Sequence, residues 1–468
     1  MYATNRPSDR SNACGKLKNF MPNTWTPDSW RGRPALQQAK YPSESELADV
    51  LHEISTLPPL VTSWEILTLK RHLAEASHGE RFILQGGDCA EQFAECQSPL
   101  IANKIKILLQ MSLVLIQGSK MPVTRVGRIA GQYAKPRSED LETKDGVSLP
   151  SYRGDNVNRP AFTEADRRPD PRLLLRGHER AAMTLNFIRA LVRGGFADLH
   201  HPEYWELDFM KHSPREDDYR RMTGGVVEAL RFMENVLGIR QSDVGWVDLF
   251  TSHEGLHLPY EESQTRRVPH SPGWFNLSTH FPWVGMRTAD PDGAHVEYFR
   301  GIENPLGVKV GAKTTPEMIR RICETLNPGN NAGRLTLIHR FGSEKLADGL
   351  PPVIRAVREC GAHVTWICDP MHGNTRTTAE GYKTRNFDDI ERELDASFDI
   401  HAAEGTRLGG VHFELTGDDV TECVGGARGL RDADLSRAYK TGVDPRLNYE
   451  QALEMAMLIA QKMSKASR

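Results

Sequence analysis

Four residues of the chain belong to types that together can hold a divalent cation: Cys89, His372, Glu414 and Asp444. One sulfur, one imidazole and two carboxylates suit Mn, Fe, Co or Zn and do not choose among them. The set is unlike the closed cage of a structural zinc, built from four cysteines or from paired cysteines and histidines, and carboxylate ligands leave a position open for a Lewis-acid role. Spacing alone does not select these four. His253 with Glu254, His412, and Glu422 with Cys423 compete for the same part. A lone cysteine after a strand is more often packed than ligating.

A second group is basic: Arg128, Lys135, Arg137, Arg287, Lys309 and Arg340. Gathered at one place, these cations would repel one another unless anions joined them. Arginine forks grip phosphate and carboxylate in a bidentate way, and lysine adds point charge. The stretch Lys135-Pro136-Arg137-Ser138 suits a phosphate loop, stiffened by proline and supplied with a fork and a hydroxyl. No Walker A sequence and no strand-turn-helix GxGxxG occurs, so nucleotide binding has no support. Taken singly, each of these residues reads equally well as a surface residue or a structural ion pair. Their common phase along the chain is what argues for a set.

That phase comes from the elements that must position them. Short apolar runs occupy 81–87, 123–130, 245–251, 280–285, 306–311, 334–339, 363–368 and 410–415, rich in Val, Ile, Leu and aromatics at strand length. Helical patterns follow several of them, at 99–118, 316–326, 350–360, 387–404 and 448–464. The charged and metal-capable residues lie in or just past the ends of the runs. This predicts a parallel (β/α)8 TIM barrel, whose catalytic groups sit at the C-terminal ends of its strands. Residues 1–80 read as an N-terminal extension with helices near 44–55 and 64–75, and 81–468 as the barrel domain. The stretch 131–244 far exceeds the few tens of residues that a barrel crossover needs. With helical patterns at 173–194 and 217–237, it predicts a helical insertion over about 140–244, between strands 2 and 3.

The 468 residues are 39% hydrophobic and 26% charged, the balance of a globular chain that can bury a sizeable core. The net charge of −3 gives no global pull toward nucleic acid or an acidic membrane, and neither is expected as a partner. No apolar run approaches the ~20 residues of a membrane span. No apolar leader is evident, and the seven scattered cysteines form no CxxC pair, so a reducing, cytoplasmic setting is expected, with an organelle such as a plastid left open.

Longer motifs carry a resemblance. They are GGDCAE at 86–91, GRIAGQYAKPRS at 127–138, SYRGD at 151–155, DGAH at 292–295 and NPLGVKVG at 304–311. GRLTLIHR at 333–340, DPMHGNT at 369–375, ELTGDDVTEC at 414–423 and DPRLN at 444–448 complete the set. In this order, from about residue 20 onward, the chain resembles the class II 3-deoxy-D-arabino-heptulosonate 7-phosphate (DAHP) synthases. The resemblance implies condensation of phosphoenolpyruvate with erythrose 4-phosphate, the first step of the shikimate pathway. It implies that Cys89, His372, Glu414 and Asp444 bind the divalent metal, Mn2+ ahead of Co2+, Fe2+ or Zn2+, and that no organic cofactor takes part. It assigns Arg128, Arg287, Lys309 and Arg340 to phosphoenolpyruvate, with Lys135 beside them, and Arg137 and Ser138 to the acceptor phosphate. It also implies a homo-oligomer and aromatic amino-acid effectors acting through the insertion, for which an oligomer interface is the equal alternative. An acceptor other than erythrose 4-phosphate, as in an amino-DAHP synthase, or a non-catalytic paralogue, remains open. One position departs from the family pattern: where GERT is expected, the chain reads Gly285-Met286-Arg287-Thr288, and a carboxylate beside the phosphate site is missing.

Overall fold

The computed structural model describes residues 25–193, 217 and 248–466. Eight parallel strands close into a barrel: β1 (Phe82–Gly87), β2 (Val123–Arg128), β3 (Leu249–Glu254), β4 (Phe281–Val284), β5 (Leu306–Val310), β6 (Leu335–His339), β7 (Thr365–Cys368) and β8 (Leu408–Glu414). Pairing of β1 with β8 and with β2 completes the ring. The (β/α)8 expectation therefore holds. The third strand is displaced from its predicted place: the apolar run suggested 245–251, but pairing with β4 involves Ser252, His253 and Glu254. The ligand candidates His253 and Glu254 thus belong to the strand itself, not to the loop after it.

Alternation along each strand sorts the side chains by depth and face. On β1 and β8, Phe82, Leu84, Val411 and Phe413 point outward into the helical layer. Inside, Ile83, Val126, Phe250, Phe281, Ile338 and Ile367 pack with Trp283, which reaches up to the cleft, into an apolar lower layer. Above it lies a polar layer: Gln85 Nε2 donates to Ser252 Oγ at 3.0 Å, and Gln85 Oε1 lies 2.7 Å from His412 Nδ1. The same phase brings Arg128, Lys309, Glu254 and Glu414 inward at the top.

The N-terminal region supplies α1 (Glu44–Thr56) and α2 (Ser63–His78). Helix α2 begins with a capping box in which Thr62 and Glu65 satisfy each other's backbone donors, and it stops at Gly79 in the left-handed conformation. Its Leu69, Leu73 and Ala76 close the lower end of the barrel and share the interior cluster. Helix α3 (Ser98–Ser119) packs along the C-terminal helix (Tyr449–Ala466). Contrary to the sequence expectation, α3 is long and apolar enough to cross a membrane, with a mean hydropathy of 1.5. It is mostly buried against the barrel and the C-terminal helix, as a core helix is.

The insertion after β2 contains more than helices. A hairpin, Leu141–Lys144 with Val147–Pro150, precedes the predicted helix, which spans Arg172–Arg193. Asp145 and Gly146 both take positive φ, 48° and 77°, as a two-residue hairpin turn requires. The helix packs against α1 and α3, and its Ala181 and Leu185 join Ala130 and Tyr133 of the loop after β2. The helical pattern at 217–237 lies outside the described residues except for Asp217.

Because Leu73 is fully buried in the cluster that plugs the barrel, Leu73→Ala is expected to cost about 2–5 kcal/mol of stability. A urea melt would read this as a lower midpoint, and cation affinity measured on the folded variant should match the parent.

Candidate active site at the barrel mouth

A cleft of about 380 Å³ opens at the C-terminal ends of the strands. Of the residues singled out by sequence, Cys89, Arg128, Lys135, Arg137, Ser138, Met286, Arg287, Lys309, Arg340, His372 and Asp444 line it. Glu414 lies just beneath, fully buried.

The potential ligands converge from opposite ends of the chain. Cys89 Sγ and one carboxylate oxygen each of Glu414 and Asp444 lie within 4.8 Å of one another. His372 Nε2 is 3.0 Å from Glu414 Oε1, which joins it to the group. Its other nitrogen, Nδ1, is 2.7 Å from Asp369 Oδ2, whose carboxylate also receives the His372 backbone N–H at 3.2 Å. A carboxylate in that position fixes the ring's orientation and its tautomer, with Nε2 turned to the cluster. Glu414 Oε2 accepts from Arg385 Nη2 at 2.7 Å and Oε1 from Arg128 Nη2 at 3.0 Å. Burial would raise its pKa, but His372, Arg385 and Arg128 outweigh that and hold it well below the usual carboxylate range. Asp444 accepts from Lys135 Nζ at 3.0 Å on Oδ2 and from Lys383 Nζ at 3.0 Å on Oδ1. It too is held low against the effect of burial, chiefly by Lys135. The Cys89 thiol is pushed up to about 12, first by burial and then by the Glu414 charge. A bound cation would have to displace that proton. One thiol, one oriented imidazole and two ionised carboxylates at these separations suit a divalent cation of borderline softness.

Three of the alternative ligands, His253, His412 and Glu422, are engaged elsewhere. His253 Nε2 meets Glu261 Oε1 at 2.8 Å in a buried network behind the barrel wall. His412 supports Arg128, with Nε2 and Nη1 2.6 Å apart. Both oxygens of Glu422 engage Arg446.

Several motif residues shape the loop that carries the lysine and arginine of the KPRS stretch. Glu91 accepts the backbone N–H groups of Ala130, Gly131 and Gln132 at 2.9–3.0 Å. Lys135 N donates to Arg153 O at 2.8 Å. Gly154, at φ +103°, approaches so closely that a Cβ there would stand 1.9 Å from Tyr133 O, which explains the glycine of SYRGD. From the N-terminal region, Gln37 reaches over to accept the Arg137 N–H at 2.8 Å. Arg287 Nη2 donates to Ser138 Oγ at 2.9 Å and joins the loops after β4 and β2 across the mouth.

The cations differ in how far they are committed. Arg128 is buried and donates to Asp88 O at 2.8 Å and Cys89 O at 3.0 Å as well as to Glu414. Its guanidinium also lies over the Trp283 ring, 5.3 Å from the centroid. Lys309 pairs with Asp369 and is lowered to about 8, because burial outweighs that carboxylate. Sequence reasoning missed Lys383, Arg385 and Gln37, and weighed Glu254 only as a ligand. Glu254 lines the cleft with its Oε1 buried and without a hydrogen-bond partner among the described residues, and burial raises its pKa. Met286 stands in the cleft wall, its Cε 3.6 Å from where a Cβ of Gly311 would be.

A closed parallel barrel with a basic cleft set over donors for a divalent cation defines an enzyme for anionic, phosphorylated substrates. The class-II DAHP synthetase family matches the chain over residues 25–460, and the chain belongs to that family. A phospho-2-dehydro-3-deoxyheptonate aldolase of Neurospora crassa is 46% identical over 452 residues, covering 93% of this chain and 94% of its own length. A protein of the same description from Streptomyces coelicolor is 46% identical over 434 residues, 93% of this chain and 96% of its own.

The low pKa of Lys309 sets a pH dependence. Its folded value, about 8, lies below the ordinary 10.5. Between those values the unfolded chain holds more protons, so this group makes the folded state more stable as pH rises through that window. Anion binding runs the other way, since the neutral amine attracts anions less. Affinity for phosphoenolpyruvate, followed by calorimetry, should fall above about pH 8, and Lys309→Arg should flatten that fall.

Proposed function

We propose that the protein condenses phosphoenolpyruvate with D-erythrose 4-phosphate and water to give DAHP and phosphate, the entry to the shikimate pathway. The observation that carries this is family membership over nearly the whole chain, joined to a cleft in which a basic set and a cation-binding set adjoin. The relatives' name, an aldolase acting on that seven-carbon phosphate, agrees with it.

In this reading Arg128, Arg287, Lys309 and Arg340, with Lys135 beside them, hold the carboxylate and phosphate of phosphoenolpyruvate. Arg137 and Ser138 hold the acceptor phosphate, and Arg287 bridges the two halves through its bond to Ser138. Fixing both anions brings C3 of the donor against the acceptor aldehyde and converts a bimolecular encounter into an oriented one. C3 adds to the aldehyde carbon; C2, left electron-poor, takes up water; and phosphate departs with the former enol oxygen. Glu254, which lines the cleft and whose buried Oε1 has no hydrogen-bond partner among the described residues, orients that water and accepts hydrogen bonds from it. Cys89, His372, Glu414 and Asp444 would hold the divalent cation, Mn2+ in this reading, and when bound it would supply Lewis-acid polarisation of the aldehyde oxygen.

Phosphate release should require both substrates and should stop when a chelator removes the cation and resume when Mn2+ is returned. Release with phosphoenolpyruvate alone, or none with any four- or five-carbon phosphosugar, would overturn the reading.

Met286 leaves phosphoenolpyruvate binding intact, because removing a carboxylate from an anion site removes a repulsion. The methionine also fills the wall with flexible apolar volume. Met286→Glu is therefore expected to bind phosphoenolpyruvate no more tightly than the parent, with any change appearing in kcat, where transition-state positioning is felt. A parent that binds no phosphoenolpyruvate while Met286→Glu binds it would refute this.

A further inference from the structure

We infer that Asp88, Arg446 and Glu422 form a buried brace that positions Cys89 and Asp444 for a cation; this rests on those two residues being ligands. Glu422 is fully buried, and its carboxylate faces a single guanidinium in bidentate fashion: Arg446 Nε donates to Oε2 at 3.0 Å and Nη2 to Oε1 at 2.9 Å. The remaining Nη1 of Arg446 donates to Asp88 Oδ1 at 2.7 Å. Asp88 immediately precedes Cys89, and Arg446 follows Asp444 by one intervening proline. One planar guanidinium therefore ties the end of β1 to the segment after β8, 358 residues apart in sequence.

The brace also shapes the backbone that carries Asp444. Glu422 accepts the N–H groups of Lys440 at 3.2 Å, Thr441 at 2.9 Å and Arg446 at 2.8 Å. Residues 438–446 contain no helix or strand, so these bonds do for the segment what a ladder would do elsewhere. Thr441 Oγ1 adds a bond to Asp444 O at 3.1 Å. Lys104, buried and paired with Asp88, balances the second aspartate oxygen. Such a network is weak evidence for stability, because desolvating its charged groups costs about what their attraction returns. Its geometry suits a different task. A thiol after a strand and a carboxylate on an irregular segment have no common element to set their separation, and the guanidinium fork supplies a rigid link. Only a fork spans both carboxylates, so lysine at 446 could not replace it.

The test is a calorimetric titration of Mn2+ into the full chain without substrates, with thermal unfolding recorded in chelator. Glu422→Gln and Arg446→Lys should each bind Mn2+ about 10- to 100-fold more weakly at a temperature where the variant is folded. Cys89→Ser is the reference for loss of a ligand. If Glu422→Gln and Arg446→Lys bind Mn2+ as the parent does while Cys89→Ser does not, the brace is only structural and the inference fails, with the site reading intact. If Cys89→Ser also binds as the parent does, the site reading fails and this inference with it. Hydrogen exchange on the parent keeps the question decidable if the variants do not fold. In chelator, the amides of Lys440, Thr441 and Arg446 should stay protected, and exchange at the rate of unstructured chain would overturn the brace.

Discussion

A single carboxylate sets the terms for the mouth of this barrel. Glu414 ends β8 with no solvent exposure, and an ionised group so placed costs several kcal/mol unless its charge is matched. Three partners match it: Arg128 from β2 and His372 from the segment after β7, both at 3.0 Å, and Arg385 at 2.7 Å. Each then has consequences of its own. Arg128 donates from Nε to the Asp88 carbonyl and from Nη2, which also binds Glu414, to the Cys89 carbonyl, so the first strand's end is held by the same group that neutralises the last strand's. Arg385, itself fully buried, donates to Pro445 O and steadies the neighbour of Asp444. His372 is aimed by Asp369, which also receives Lys309. Removing the charge at 414 would leave two buried arginines without their counter-ion, so the carboxylate is as much a structural hub as a donor.

The period-2 alternation of the strands is why so much of this was legible from residue types. A charged residue inside an otherwise apolar run, such as Lys309 or Glu414, has only two faces to choose from, and the helical layer excludes one of them. Strand ends then bring Cys89, Arg340 and His372 to the same side. What was not legible came from segments without such a period. Lys383 and Arg385 sit on a short excursion after β7 and reach the cluster only because the chain folds back, pairing 375–377 with 383–385. Gln37 approaches from before the first strand, at a positive φ of 62° that no pattern announces. The hairpin of the insertion was a different matter: Asp145-Gly146 between short β-prone segments is a recognised turn signal. It was masked by the helical pattern that follows. The third strand was placed early because residues 245–251 are apolar while the pairing residues Ser252, His253 and Glu254 are polar. Ser252 is buried inside the barrel and His253 in the polar network behind its wall, so burial here goes with hydrogen bonding and not with hydrophobicity.

Depth separates the two kinds of charge. Carboxylates lie low: Glu414, Asp369 and Asp88 are fully buried, and each faces a named cation. Cations rise toward the opening, where Arg287 donates to a serine hydroxyl and Arg340 to the His372 carbonyl, both neutral acceptors. A chain with a net charge of −3 thus brings Arg128, Lys135, Arg137, Arg287, Lys309, Arg340 and Lys383 to one cleft, against Glu139, Glu142, Glu254 and Asp444 in the same lining. The placement of methionine at 286 follows the same division. Its thioether fills the wall beside Gly311 and brings no charge level with Arg287 and Arg340. Glu254 lines the cleft from β3 with its Oε1 buried, and burial raises its pKa and weakens its competition for the arginines. At the opening Arg287 and Arg340 sit on neutral acceptors, while Glu414, Asp369 and Asp88 lie beneath them, each already matched by a cation, so these three buried carboxylates do not compete for those two forks.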